Sequence, residues 1–146
     1  MQAVRIDELE LFEGSSQSDA GMRVRAGFPI SSGTGTKSTA VVYFELEPGA
    51  HLGSHTDSAE EVLLVVSGSG EATIGEEQAA VQAGTLAVVP ALVPHSVKNT
   101  GEETLRVVGF FSSSTVLSIF DEPMEPFGTR YFATPMIEEE AVVAAS

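Results

Sequence analysis

The chain contains no cysteine and no tryptophan. Without cysteine, disulfide bridges, thiolate metal ligands and a cysteine nucleophile are all excluded, so nitrogen and oxygen atoms would have to hold any metal ion. Positive charge is also scarce, because seven Lys and Arg residues stand against 21 Asp and Glu, a formal net charge of −14. This excess of acid disfavours binding to nucleic-acid phosphates and to anionic membrane surfaces.

Long hydrophobic segments are absent as well. No apolar run approaches the ~18 residues that a membrane span needs. The opening residues Met1–Glu8 lack the apolar region of a signal peptide, so we expect a cytoplasmic protein. With 146 residues, of which 42% are hydrophobic, the chain is expected to form one globular domain over 1–146.

Turn-forming residues divide the chain into short segments rich in Val, Leu, Ile and Phe. Such segments at intervals of about 8–12 residues predict an all-β sandwich or small barrel. The predicted strands are Val24–Phe28, Thr39–Glu47, Glu61–Val66, Glu71–Ile74, Gln78–Gln82, Leu86–Val89, Ser96–Lys98, Thr104–Phe111 and Val116–Phe120. Helical periodicity is weak, so helix is expected only at the ends, and the tail Ile137–Ser146 fits either a short helix or a loose segment.

Two predicted strands are apolar on both faces, namely Val41–Phe44 and Val107–Phe111. A sheet with one wet face would instead alternate apolar and polar residues. Either the terminal segments cover the second face, or a subunit interface buries it. We favour a homodimer that shares a sheet face.

Two of the three histidines lie in segments that glycine and proline punctuate. The first segment contains His55, Asp57 and Glu61, and in the second His95 directly follows Pro94. Imidazole nitrogen and carboxylate oxygen are ligands of divalent transition metals. Because side chains two residues apart on an extended segment share a face, His55 and Asp57 project together. The pattern predicts a metal site.

The first of these segments resembles the first motif of the cupin family. Gly49 is followed by five residues and His55, then by Asp57, Glu61 and Gly68, and every spacing matches the motif. The difference lies at Asp57, where the motif has a second histidine.

The second segment resembles the second cupin motif. Gly84, Pro90, His95 and Asn99 stand at the motif's positions, while Leu92 replaces its glycine. Since leucine avoids positive φ, we expect the loop before His95 to follow a different path. We expect Asn99 to shape the turn that follows it.

The resemblance implies an all-β jelly-roll barrel (a double-stranded β-helix) with its motif core at 49–99 and the terminal segments packed on the barrel or at a dimer interface. It also implies His55, Asp57, Glu61 and His95 as ligands of Fe, Mn, Ni or Zn. Asp57 would either ligate the metal, orient a histidine, or mark a site that has lost its metal. His51 has the same parity as His55 and offers another source of the missing nitrogen.

The functional hypothesis is a metal-dependent enzyme that binds a small, partly apolar molecule in the barrel mouth. The resemblance favours a dioxygenase, in which Asp57 completes the metal shell or takes a proton from the substrate. A redox-neutral lyase, isomerase or cyclase is the alternative within the same class. A non-catalytic barrel that binds a small molecule is the alternative from another class.

Overall fold

The computed structural model describes residues 2–136, and β-strands dominate this part of the chain. The strands are β1 (Phe12–Ser15), β2 (Arg23–Ile30), β3 (Ala40–Leu46), β4 (His51–Asp57), β5 (Glu61–Ser67), β6 (Ser69–Ile74), β7 (Glu77–Gln82), β8 (Leu86–Val89), β9 (His95–Asn99), β10 (Leu105–Phe111), β11 (Val116–Met124) and β12 (Thr129–Thr134). Two short 3-10 turns, Ile6–Glu8 and Ser32–Thr34, are the only helical elements between residues 2 and 136. The alternatives for the tail Ile137–Ser146 lie outside the described residues. None of the described helices could span a membrane.

The strands form two six-stranded antiparallel sheets that face each other. The first sheet has the order β1-β2-β3-β10-β5-β8, and the second has the order β12-β11-β4-β9-β6-β7. Apolar side chains from both sheets fill the space between them in one continuous core. This architecture confirms the predicted jelly-roll barrel.

Every strand predicted from the sequence is present, with bounds that differ by a few residues, but β1, β4 and β12 were not predicted. β4 has the sequence HLGSHTD, in which Leu52 is the sole aliphatic residue. The strand is nevertheless extended because it is paired on both sides, with β9 and with β11. Its inward positions carry polar groups, so the apolar alternation that indicates a strand is missing.

β5 carries the alternation that β4 lacks. Glu61, Leu63 and Val65 are buried and share one face, as the sequence predicts. Leu63 and Val65 belong to the core between the sheets. Burying aliphatic side chains of this size contributes about 1.5–3 kcal/mol each, which anchors the strand that carries Glu61.

The outer face of the first sheet is covered only in part. Leu9 and Leu11 of the N-terminal segment lie over Gly27 of β2. At the other end of the sheet, Leu86 and Val88 of β8 are 66% and 57% exposed. The N-terminal segment therefore covers the outer face of β2, whereas the outer face of β8 remains exposed to solvent.

The turn after β9 depends on Asn99, which is 1% exposed. Its amide donates to the carbonyl oxygens of Leu46 and Glu103, each at 2.8 Å. Its side-chain oxygen accepts from the N–H of Gly101 at 2.9 Å. Asn99 thus shapes this turn, as expected from the sequence.

The loop before β9 contradicts the expectation for Leu92. Leu92 has a φ of 65°, the single positive value at a non-glycine residue in the described part of the chain. Its N–H donates to the carbonyl oxygen of Asp57 at 2.9 Å, which ties the loop to the end of β4. This bond holds the backbone in the left-handed region, a conformation that costs a non-glycine residue about 1–2 kcal/mol.

We predict that Leu92→Gly raises the free energy of unfolding by about 1 kcal/mol, because glycine adopts positive φ without steric strain. Urea titration measures the change. Leu92→Ala is the matched control, since it removes the exposed side chain and keeps the strained Cβ. An equal gain in both variants would show that backbone strain is not the source.

Candidate metal centre

A β-bulge in β4 sets the direction of its side chains. Leu52 pairs with Val97 and His55 pairs with His95, so three steps along β4 oppose two steps along β9. The extra residue shifts the register, and Leu52 and His55 both point into the barrel although they are three residues apart.

The bulge also removes His51 from the site. Because the register shifts between Leu52 and His55, His51 and His55 no longer share a face. The imidazole Nε2 of His51 instead lies 2.9 Å from Asp19 Oδ2 at the surface. The alternative in which His51 supplies a metal ligand is therefore wrong.

The four side chains predicted as ligands meet between the sheets. His55 and Asp57 come from β4 and His95 from β9, whereas Glu61 reaches across from β5 of the facing sheet. His55 is 6% exposed, Asp57 4%, Glu61 3% and His95 3%. The cluster therefore lies inside the barrel and not at its open mouth.

Donor atoms of His55, Asp57 and His95 lie close enough together to share one metal ion. His95 Nε2 is 3.1 Å from Asp57 Oδ2, and His55 Nε2 is 3.9 Å from the same oxygen. One ligand atom from each of these three residues lies within 4.8 Å of the other two. Glu61 Oε1 is 3.6 Å from His95 Nε2. Two ligand atoms that each lie ~2.0–2.2 Å from one ion can be at most about twice that distance apart, and the three distances given above meet this condition.

Both imidazoles are oriented by backbone carbonyls. Nδ1 of His55 donates to the oxygen of Gly53 at 2.8 Å, and Nδ1 of His95 donates to the oxygen of Val93 at 3.0 Å. A carbonyl only accepts hydrogen bonds, so Nδ1 carries the hydrogen in each ring. In the neutral rings, Nε2 then presents its lone pair to the cluster, which is the tautomer that a metal ion binds.

Two buried atoms of the cluster have no hydrogen-bond partner, namely Asp57 Oδ2 and His95 Nε2. They are 3.1 Å apart but are not aligned as a hydrogen bond. An unsatisfied buried polar atom costs about 1–3 kcal/mol. A divalent ion between them would satisfy both, so the donor set fits a divalent transition metal held by nitrogen and oxygen.

Two further residues, which the sequence analysis missed, fix the carboxylates. The hydroxyl of Ser118 on β11 donates to Asp57 Oδ1 at 2.6 Å, which leaves Oδ2 directed at the histidines. Gly109 on β10 makes room for Glu61, because a Cβ at Gly109 would overlap Glu61 Oε2. A glycine inside an apolar strand signals a close approach of this kind, whereas nothing in the sequence distinguishes Ser118.

Burial and mutual proximity shift the pKa of each group in the metal-free cluster. Burial, with a contribution from the charge of His95, lowers the pKa of His55 to about 4. Burial also lowers the pKa of His95, but the carboxylates of Asp57 and Glu61 outweigh it and raise that pKa to about 10. Burial raises the pKa of Glu61. Burial raises the pKa of Asp57, but the proximity of His95 and His55 and the hydroxyl of Ser118 outweigh it and lower that pKa. Without metal, the cluster keeps a proton on His95 and a negative charge on Asp57.

The cluster forms part of the wall of a cavity of about 60 Å³. A water molecule needs about 10–15 Å³ on this measure, so the cavity suits a few waters or one small organic molecule. Apart from the cluster and Ser118, the wall is apolar and includes Leu63 and Val97.

A sequence model of the cupin domain matches residues 42–111, and no curated protein has a matching sequence. A candidate sugar phosphate isomerase from Acidithiobacillus ferrooxidans superposes with a TM-score of 0.60 at 22% identity, over 82% of this chain and 79% of its own. For a predicted oxalate decarboxylase from Thermotoga maritima, the TM-score is 0.65 at 21% identity, over 77% and 99%. For the polyketide cyclase RemF from Streptomyces resistomycificus, it is 0.62 at 17% identity, over 76% and 78%.

At these identities the likeness to solved structures concerns the fold. The matched segment 42–111 runs from β3 to the end of β10 and contains both motifs. It therefore includes all four side chains of the cluster and the strands that carry them, β4, β5 and β9. Motif spacing, the matching domain model and the jelly-roll architecture agree that residues 42–111 form a cupin domain.

Proposed function

We propose that His55, Asp57, Glu61 and His95 bind one divalent transition metal ion (Fe, Mn, Ni or Zn). The observation that carries the proposal is the pair of buried, unpartnered donor atoms, Asp57 Oδ2 and His95 Nε2. When bound, such an ion polarises substrate oxygen as a Lewis acid or supports redox chemistry, depending on its identity.

Asp57 acts in this proposal as a ligand through Oδ2. Ser118 occupies its other oxygen, and the free oxygen faces both Nε2 atoms. Glu61 comes from the opposite sheet, so the ion would bridge the two halves of the barrel. Ligands from three strands would hold the ion beside the cavity, where a substrate can bind.

For the reaction, we propose oxygenation of a small organic molecule, in which both atoms of O₂ enter the substrate and the substrate supplies the electrons. The apolar cavity supports this because it keeps water away from the reacting groups. His55 and His95 hold fixed orientations through their backbone carbonyls, so the chain contributes a rigid site that does not reorganise.

A redox-neutral lyase, isomerase or cyclase is the second candidate. It is favoured by two buried carboxylates beside the metal position, because Asp57 and Glu61 can take up and return a substrate proton. Burial raises the pKa of Glu61, which brings it closer to the range of a general acid or base at neutral pH.

We predict that the purified chain binds about one metal ion and that His55→Ala and His95→Ala each abolish stoichiometric binding. Removing either imidazole leaves too few donors for a tight site. Elemental analysis after dialysis measures the metal content. His51→Ala is the matched control, because this third histidine pairs with Asp19, and it should retain the metal.

Ser118→Ala tests the orientation of Asp57 in the same assay. Loss of the hydroxyl frees Asp57 to rotate, and we expect metal affinity to fall about 10-fold. Metal that persists when both His55 and His95 are replaced would contradict the assignment of the site.

We predict that the metal-loaded protein consumes O₂ in the presence of catechol and that His95→Ala does not. An oxygen electrode measures the uptake, and mass spectrometry with ¹⁸O₂ locates the label in the product. Metal-dependent deuterium exchange into 2-hydroxyacetophenone without O₂ uptake would instead favour redox-neutral chemistry. A metal-loaded protein that does neither would contradict an enzymatic role toward such compounds and favour a binding barrel.

We also propose that a second copy of the chain covers the outer face of β10, β5 and β8. The strand register aligns Phe110, Val62 and Val88 in one cross-strand row. In the next row, Leu64 lies beside Leu86. Phe110 is 45% exposed, and Leu86 and Val88 are more exposed still, so the face presents a continuous apolar surface to solvent.

We predict that the wild-type chain sediments as a dimer and that Val88→Glu yields a monomer, because a carboxylate would be buried without a partner at the interface. Leu117→Glu is the control, since Leu117 is 42% exposed on the other sheet. Analytical ultracentrifugation distinguishes the states. A wild-type monomer would contradict the proposed interface.

A further inference from the structure

We infer that the substrate of this site is a small, uncharged aromatic molecule that presents one polar end to the metal. The inference rests on the proposed metal site and specifies the ligand of that site. Three features of the cavity carry it: the aromatic composition of its wall, the placement of its polar groups and its lack of positive charge.

Phenylalanine is concentrated in this one cavity. The chain has eight phenylalanines, and six of them line the wall: Phe12, Phe28, Phe44, Phe111, Phe120 and Phe132. A core can be filled equally well by leucine and isoleucine, so filling alone does not require so many rings. Ring faces and edges offer the offset and edge-to-face contacts that an aromatic ligand prefers.

The rings form a connected series that begins at the metal cluster. Phe120 stacks on His55 with ring centroids 4.5 Å apart and an angle of 17° between the planes. Phe132 meets Phe120 edge to face at 5.6 Å. Phe127 meets both Phe132 and Phe12 edge to face, and Phe12 in turn stacks on Phe28 at 5.8 Å. A flat ligand bound to the metal would therefore meet aromatic surface as soon as it leaves the donor atoms.

Polar groups enter the wall only at the metal end. Besides the four side chains of the cluster, the hydroxyl of Ser118 is the single polar side chain that lines the cavity among the described residues. Ser118 already donates to Asp57. A ligand with several hydroxyl groups would bury them without partners, at about 1–3 kcal/mol for each group.

Positive charge is missing from the cavity. Within residues 2–136, no Lys or Arg lines the wall. In the candidate metal site, Asp57 stands where the cupin motif has a histidine. One more carboxylate would therefore offset the positive charge of a divalent ion. With Asp57 and an ionised Glu61, the two carboxylates would balance the ion's charge, and no net attraction remains for an anionic substrate.

Two of the structurally similar proteins are named for oxalate and for a sugar phosphate, and the cavity of this chain does not suit either compound. Oxalate carries two negative charges, and a sugar phosphate carries a phosphate and several hydroxyls. Both need cationic or hydrogen-bonding groups, which Arg or Lys usually supplies in proteins. The wall described above provides aromatic carbon in their place.

Four probes of matched chemistry test the inference by calorimetric titration of the Zn(II)-loaded protein. Phenol is uncharged and aromatic, cyclohexanol is uncharged and non-aromatic, phenyl phosphate is anionic and aromatic, and oxalate is anionic and non-aromatic. We expect phenol to bind about 10-fold more tightly than phenyl phosphate and oxalate, because burying an unpaired charge costs more than burying a hydroxyl. We expect a preference of about 3- to 10-fold over cyclohexanol from the ring contacts.

Substitutions at Phe28 locate the binding in this cavity. Phe28 is only partly buried, so it can be replaced with little risk to the fold. Phe28→Leu should weaken phenol binding about 3- to 10-fold, and Phe28→Arg should tighten the binding of phenyl phosphate relative to phenol. Phe110→Leu is the control, since that ring lies on the outer face of the first sheet and should leave all four affinities unchanged.

Metal content is measured on every sample, and the four titrations are repeated on metal-free protein. If either anion binds as tightly as phenol while the metal is retained, the substrate class is wrong and the metal site stands. Equal binding of phenol and cyclohexanol would overturn the aromatic requirement. Failure to bind metal would reject the proposed function, and the order of the probes on the metal-free cavity would still decide the inference.

Discussion

The arrangement on which the rest of the site depends is a group of ionisable atoms held without partners in an apolar interior. Asp57 Oδ2 and His95 Nε2 are buried and make no hydrogen bond, although a carboxylate and an imidazole normally avoid such surroundings. The bulge in β4 directs His55 and Asp57 inward, and backbone carbonyls hold the two rings. These supports hold the donor atoms at distances suited to one ion. Asp57 and His95 therefore do not align as an ordinary hydrogen bond with each other.

This arrangement links metal binding to the stability of the barrel. An ion that binds the folded chain and not the unfolded one stabilises the fold in proportion to its affinity and concentration. The candidate ligands come from β4 and β9 on one sheet and from β5 on the other, so an ion held by them would connect the two sheets. A bound ion would therefore relieve the cost of a polar cluster inside the core.

Local sequence patterns predicted the elements whose residues follow a simple period. β5 and β10 alternate or run apolar, and they lie where the sequence predicts them. β4 was missed because its inward residues include His55 and Asp57, which are polar. His51 stayed an open alternative as a ligand because a bulge changes parity without a local sequence signal. Leu92 adopts positive φ because a hydrogen bond to Asp57 outweighs a preference of about 1–2 kcal/mol. Each of these departures has a tertiary contact as its cause.

The sequence by itself determined the all-β class, the cupin resemblance and the four candidate donor residues that the fold brings together, since motif spacing and turn residues are properties of the chain alone. Only the tertiary structure decided that His51 faces outward, that Ser118 and Gly109 fix the two carboxylates, and that six phenylalanines surround one cavity. The reason is physical: these relations join residues from different strands across two sheets, and their geometry depends on register and on packing. Sequence separation carries no information about which strand will lie beside which.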